Sequence, residues 1–347
     1  MLKNIAKKIQ HACRCRLLAV TILGLMSQTV TAQCLTNGLL QGVNLAGAEF
    51  NSSKIPGKIN KDYLYPNQAD LDYIVALGGN VIRLPFRWER IQPTLFGELA
   101  PAELRSLNAV VAAAKKRQLC VILDVHNYGN YGKDTIGSAE VPVDAFHDLW
   151  IRLARQFPDP DGTIFGLMNE PAKLPIALWA TTAKSTVTVL RQSGATNIIL
   201  VPGGRWSGVH EWFKQINGTS NAEALSDLHD PLSKTWIEAH QYADSNYSGM
   251  GQECINPERF EKMFTPLSEW AKKNGQKLFL GEFGVPPNEK CLIALNEIFK
   301  QMHASDRWRG NTYWAAGRWW GGYPFSIQMK DGVEPAQTKV LRKYFNN

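Results

Sequence analysis

Short apolar runs alternate eight times with longer amphipathic stretches, and the alternation predicts an α/β fold, a single (β/α)8 barrel, over residues 33–347. Two further observations support it. The runs are apolar on both faces, as strands of a doubly covered parallel sheet must be. The first of them, Gly42-Val43-Asn44-Leu45-Ala46-Gly47, opens onto no glycine-rich phosphate loop leading into a helix, so the doubly wound alternative lacks its usual signature.

Taken in order, residues 41–46 form the first expected strand. Residues 68–77 are amphipathic and stop at Gly78-Gly79, after which residues 80–86 return to strand character. Residues 101–118 carry apolar side chains at helical spacing and end on Lys115-Lys116-Arg117, cations that suit the negative end of a helix dipole. Further strands are expected at 119–127, 163–168, 197–202, 235–242, 277–283 and 310–314. Helices are expected at 143–157, 176–192, 258–274, 291–303 and 334–344, with a short one near Trp212 in a loop-rich region.

Residues 1–32 stand apart. Lys3, Lys7, Lys8, Arg14 and Arg16 form a basic region, residues 17–26 an apolar run, and Val30-Thr31-Ala32 a small-residue boundary. Together they predict a secretory signal peptide cleaved after Ala32, and a product secreted to the extracellular space or a periplasm. These residues hold five basic side chains and no acidic ones, so without them the formal charge of +7 falls to +2. The remaining cations are dispersed, which argues against nucleic acid or an anionic membrane as partner. No later stretch approaches the ~20 consecutive apolar residues of a membrane span. The expected product is a monomer of 315 residues, the 347 less these 32.

Cys34, Cys120, Cys254 and Cys291 lie beyond the expected signal, and export permits disulfides. Cys120 begins a buried strand and reads as a packed thiol, with a bridge to Cys34 as the alternative. No Cys-x-x-Cys pair has zinc-ligand spacing, and no metal or cofactor is expected.

In such a barrel, chemistry belongs at the carboxyl ends of the strands. The run from Thr163 delivers Asn169 and Glu170 directly before Pro171, and Leu278-Phe279-Leu280-Gly281-Glu282 repeats the design. A carboxylate at the end of a buried strand is costly to desolvate, so it needs a partner or a catalytic use. The other strand ends contribute Arg83, Asp124, His126, Glu238, His240, Tyr242 and Trp314. Period-two geometry aligns Asp124 with His126, and Glu238 with His240 and Tyr242. Two carboxylates with flanking aromatics and no cofactor point to glycoside hydrolysis, with retention or inversion set by carboxylate spacing. Arg83 is expected to keep the nucleophile ionised, Tyr242 to hydrogen-bond it, His240 to tune the acid, and Asn169 to bind the neighbouring sugar hydroxyl. Trp314 offers an apolar floor, and Trp206 and Trp319-Trp320 are candidates for stacking on sugar faces. Asp124 and Glu238, one pleat deeper, read as supports.

These motifs, Val81-Ile82-Arg83-Leu84-Pro85, Asp124-Val125-His126-Asn127-Tyr128, Met168-Asn169-Glu170-Pro171, His240-Gln241-Tyr242, Gly281-Glu282-Phe283-Gly284 and Tyr313-Trp314, resemble those of glycoside hydrolase family 5. Within it the chain is similar to the endo-β-1,4-glucanases of secreted bacterial and fungal origin. Eight active-site positions of that family match in order at Arg83, His126, Asn169, Glu170, His240, Tyr242, Glu282 and Trp314. The resemblance implies a retaining enzyme acting on β-glucan polysaccharide, with Glu170 as acid/base and Glu282 as nucleophile. It also implies a Cys254–Cys291 bridge. Many such enzymes carry Thr-Gly-Gly after the nucleophile where this chain has Phe283-Gly284, a departure that bears on substrate preference.

Several readings compete. Glu170 and Glu282 read alternatively as ion-pair partners of Arg83, and His126 and His240 as core histidines. A metal-dependent hydrolase could use Asp124, His126, His240 and Glu282, and a carbohydrate-binding protein would need the aromatics alone. Within the family, an endo-β-mannanase or a xyloglucan or mixed-linkage glucan hydrolase is the alternative. Strand-end loops of moderate length, with no insertion able to roof the site, predict an open groove and internal cleavage.

Overall fold

Eight parallel strands close on themselves in the computed structural model, which describes Cys34 and residues 38–346. The expected signal peptide lies outside the described residues. The strands follow one another around the barrel in chain order: β1 (Leu40–Leu45), β2 (Val81–Phe86), β3 (Cys120–Val125), β4 (Thr163–Gly166), β5 (Ile199–Pro202), β6 (Thr235–His240), β7 (Leu278–Glu282) and β8 (Trp308–Ala316). Parallel neighbours need crossovers, supplied by α1 (Gln68–Ala76), α2 (Pro101–Lys115), α3 (Val143–Gln156), α4 (Ile176–Gln192), the one-turn α5 (Asn221–Ala224), α6 (Arg259–Lys273) and α7 (Glu289–His303), while α8 (Gln337–Phe345) follows the last strand. The (β/α)8 barrel is the fold of this chain. No helix among the described residues is long and apolar enough to cross a membrane.

The two faces of each strand have separate tasks. Val121, Leu123 and Val125 belong to the large cluster shared with the helices, while Cys120 and Ile122 face the barrel axis with Leu40, Val81, Ile164, Leu200, Trp236 and Phe279. Burying one large side chain of this kind contributes about 1.5–3 kcal/mol. Continuing the inward row, four strands exchange apolar for polar residues toward the carboxyl end: Leu40 gives way to Asn44, Val81 to Arg83, Ile122 to Asp124 and Trp236 to Glu238, all four of the polar residues fully buried. The lower barrel is thus a plug and the upper barrel a polar socket.

The period is broken in β7. Ala239 pairs with Leu280 but His240 pairs with Glu282, so Gly281 is an extra residue in β7. The bulge brings Glu282 to the mouth opposite His240, where strict alternation would turn it outward. Glycine is required there, since a Cβ on Gly281 would sit 2.0 Å from Glu238 Oε1.

Several expectations need correction. Cys120 is not a free thiol: it is bridged to Cys34, with Cα atoms 5.0 Å apart. Cys34 lies beside the start of β3, with its amide donating to Asp161 O. The Cys254–Cys291 bridge is present as expected, with Cα atoms 5.3 Å apart. The helix expected near Trp212 is a 3-10 turn at Val209–Glu211 followed by α5. The last helix begins at Gln337 rather than at residue 334, because the chain through Pro335 forms its entry turn, with Thr338 N donating to Pro335 O. A short helix, Trp88–Ile91, and a two-rung hairpin, Asn130–Tyr131 with Asp134–Thr135, also decorate the mouth.

Candidate active site

Arg83 occupies the centre of the socket with no exposed surface. Its guanidinium forms ion pairs with Asp124 at 3.1 Å, Glu238 at 3.0 Å and Glu282 at 2.9 Å, and donates to Asn44 Oδ1 at 3.0 Å and Asn169 Oδ1 at 2.8 Å. A buried cation is tolerated only when neutralised and hydrogen-bonded in this way, so four strands are locked to β2 through one side chain. Asn44, which sequence reasoning passed over, belongs to the same network and also donates to Gly281 O at 2.9 Å. A polar residue in the middle of an apolar strand was the signal that could have identified it.

The two glutamates sit in different surroundings. Glu282 accepts from Arg83 on Oε1 and from the Tyr242 hydroxyl on Oε2 at 2.7 Å. Glu170 forms no ion pair with Arg83; its Oε1 lies 2.9 Å from His240 Nδ1, and its side chain retains 13% exposure. The reading of both glutamates as structural partners of Arg83 therefore fails for Glu170. The backbone of Glu170 lies in the left-handed region, at φ +38°, held there by Asn169 N donating to Val125 O and Tyr128 N donating to Asn169 O. Such a conformation costs an L-residue on the order of 1–2 kcal/mol, a cost that aims the side chain into the mouth.

Burial pushes the Glu170 carboxyl up to about 7, with the Glu282 charge adding to the rise and the bond to His240 opposing it. Burial alone would lower His240, but the Glu282 charge and the bonds to Glu170 and Glu238 outweigh it and carry the imidazole up to about 10. His126 is driven the other way, to about 3, chiefly by burial. It is a neutral ring with Nδ1 2.7 Å from Asp124 Oδ2 and Nε2 3.2 Å from the Tyr128 hydroxyl. Burial alone would raise Glu238, but the Arg83 charge together with the bond to His240 and its charge outweighs it and holds the carboxyl below the usual carboxylate range. Asp124 and Glu238 act as braces, each holding Arg83 and one histidine.

Glu170, Glu282, His126, Tyr242 and Trp314 line one cleft of about 890 Å³. Trp314 stacks on His126 with ring centres 5.5 Å apart and forms part of the floor; its peptide bond to Ala315 is cis. Trp206 lines the cleft and is 49% exposed, with its edge toward Tyr128. Of the tryptophan pair in the β8–α8 loop, Trp320 rather than Trp319 lines the cleft. Phe50, Trp314 and Tyr323 pack around the Trp320 ring at 4.9, 5.7 and 4.5 Å, while Trp319 is 40% exposed outside it. His210 and Tyr247, stacked at 4.1 Å on another wall, are joined only by the fold and had no sequence signal.

Two carboxyl groups of unlike environment at the floor of an aromatic-lined cleft can carry out acid-assisted substitution at a sugar carbon. A sequence model described as cellulase, glycosyl hydrolase family 5, matches residues 43–318. The chain belongs to glycosyl hydrolase family 5. Among its relatives, a probable endo-β-1,4-glucanase B of Neosartorya fischeri is 33% identical over 295 residues, covering 84% of this chain and 87% of the relative. The crystal structure of an endo-β-1,4-glucanase from Xanthomonas axonopodis pv. citri superposes with a TM-score of 0.86 at 43% identity, covering 89% of this chain and 98% of that one. A related family 5 structure, solved in complex with cellopentaose, gives a TM-score of 0.85 at 44% identity over 91% of this chain and 99% of that one. This family 5 chain is accordingly an O-glycosyl hydrolase.

Proposed function

We propose that this protein is an exported endo-β-1,4-glucanase that cleaves internal β-1,4-glucosidic bonds with retention, Glu170 serving as general acid/base and Glu282 as nucleophile. The observation that carries the reading is the carboxylate pair: oxygens of Glu170 and Glu282 lie within 4.8 Å of each other on the cleft floor. Retaining enzymes hold their carboxyl groups about 5–5.5 Å apart, whereas inverting enzymes leave about 6.5–9.5 Å to admit a water.

In the first step Glu282 attacks the anomeric carbon while Glu170 gives its proton to the departing oxygen. The bond to the leaving sugar breaks and an ester to Glu282 forms. In the second, Glu170 takes a proton from water, which attacks the same carbon and frees Glu282. Arg83 and Tyr242 hold Glu282 ionised and aimed. Asn169 Nδ2, buried and without a protein partner among the described residues, is free to donate to the sugar hydroxyl beside the scissile bond.

Matched relatives named as endo-β-1,4-glucanases, and one bound to cellopentaose, favour β-1,4-glucan over the mannan and xyloglucan alternatives. Reducing-end release from soluble cellulose derivatives, mannan, xylan and mixed-linkage glucan tests this. The highest kcat/KM is expected on a β-1,4-glucan; turnover of mannan with none on glucan would refute it.

A further inference from the structure

Tyr128 lines the cleft, yet the chemistry of the two carboxylates leaves it without a task. It follows β3 and is partly exposed beside Glu170, His126 and Trp206. Its backbone is left-handed, at φ +55°, a conformation that disfavours a large aromatic residue. Glu170, beyond the neighbouring β4, shares that conformation, and the two strand ends are tied where Tyr128 N donates to Asn169 O at 3.0 Å. Strained residues of this kind collect where a side chain is aimed at a ligand.

Four rings follow one another along the cleft. Trp314 stacks on His126 at 5.5 Å, His126 meets Tyr128 edge-on at 5.3 Å, and Tyr128 meets the exposed Trp206 at 6.2 Å. Tyr128 thus bridges the Trp314 floor and the outer platform. Burial, and then the Glu170 charge ahead of the Glu282 charge, push its hydroxyl well above the usual tyrosine range, so it stays protonated and feels the acid more than the nucleophile. Glu170 is the group that gives its proton to the departing oxygen. Tyr128 therefore stands on the side of the leaving sugar.

The hydroxyl has bonding capacity to spare. Its oxygen is 3.2 Å from His126 Nε2, and His126 Nδ1 is 2.7 Å from Asp124 Oδ2. Asp124 is ion-paired to Arg83, so Oδ2 accepts the Nδ1 proton of the neutral ring and Nε2 is left as an acceptor. Tyr128 donates its only proton to Nε2, and its oxygen keeps lone pairs for a donor arriving in the cleft. A sugar hydroxyl is such a donor.

We propose that Tyr128 is a specificity-determining residue for the leaving side of the cut, its phenolic oxygen accepting a hydrogen bond from a hydroxyl of the departing sugar. The direction of the chain in the cleft and the identity of that sugar rest on the glucanase reading.

Tyr128→Phe removes the hydroxyl and keeps both ring contacts. The test compares kcat/KM of the full chain on cellotetraose, whose leaving group is a sugar, and on 2,4-dinitrophenyl β-cellobioside, whose leaving group is not. A loss of about fivefold is expected on cellotetraose, the size of one neutral hydrogen bond, and less than about twofold on the aryl cellobioside. The alkaline limb of the cellotetraose profile is expected to stay at its wild-type pH, since Tyr128 acts on the sugar and not on Glu170. Equal losses on the two substrates, no loss on either, or a displaced alkaline limb would overturn the proposal. If the wild type hydrolyses mannotetraose and the aryl β-mannobioside but neither glucose substrate, the glucanase reading falls, and the same comparison on the mannose pair decides the role of Tyr128.

Discussion

His240 Nδ1 lies 2.9 Å from Glu170 Oε1, so the proposed acid and the imidazole share a hydrogen bond in the same buried space. Catalysis by Glu170 requires its protonated form at the first step. With that carboxyl raised to about 7, kcat/KM is expected to fall as pH rises through about 7, because the acid loses its proton above that value. A kcat/KM profile flat from pH 6 to 9 would contradict this. His240→Asn removes a cation that opposes the rise, and the alkaline limb is expected to move to higher pH.

The unlike settings of the two glutamates predict unlike kinetic defects. Glu282→Ala abolishes glycosylation for every substrate, whereas Glu170→Ala spares the first step for an aryl glycoside whose leaving group needs no proton. The glycosyl-enzyme then accumulates, and azide restores turnover. Equal losses by both variants on activated and unactivated substrates would reverse the assignment.

Aromatic walls on both sides of the carboxylates predict a dependence on chain length. Trp320→Ala and Trp206→Ala are expected to lower kcat/KM on cellopentaose more than on cellotriose, each platform contributing about 0.5–1.5 kcal/mol beyond burial. Trp319→Ala is expected to change little, since that ring lies outside the cleft. Internal cleavage in an open groove, as the strand-end loop lengths predict, would make viscosity drop quickly relative to reducing ends formed. Steady release of disaccharide at nearly constant viscosity would exclude internal cleavage.

The Cys34–Cys120 bridge closes 86 residues and ties Cys34 to the start of β3. In the chain-entropy account a loop of this size contributes about 4–5 kcal/mol. A Cys34→Ser and Cys120→Ser double variant is therefore expected to melt well below the wild type while retaining its glucan hydrolysis at low temperature. An unchanged melting temperature would mean that the bridge constrains nothing.

Amino-terminal sequencing of exported protein is expected to begin at or near Gln33. Extracellular protein that retains Met1 would contradict the export reading.

Most of the barrel was legible because burial on both strand faces leaves continuous apolar runs, and because polar residues within such runs are rare enough to mark the mouth. Arg83, Asp124 and Glu238 declared themselves in that way. Glu282 did so only as a strand-end carboxylate: the bulge at Gly281 that turns it inward is a property of strand register, which a single strand does not encode. Cys120 was read as a packed thiol because its partner Cys34 lies 86 positions away, and nothing local to β3 reports that the two meet. Trp319 and Trp320 are adjacent and chemically alike. Only the packing of Phe50 and Tyr323 around the second of them decides which ring faces the substrate.

The central claim is that Glu282 attacks the sugar directly with Glu170 as its proton donor, and the stereochemistry of the first product tests it most directly. Proton NMR of cello-oligosaccharide hydrolysis, recorded before mutarotation, is expected to show the β-anomer at the new reducing end. Initial appearance of the α-anomer would mean that water attacks instead, and that the two carboxylates do not work as described here.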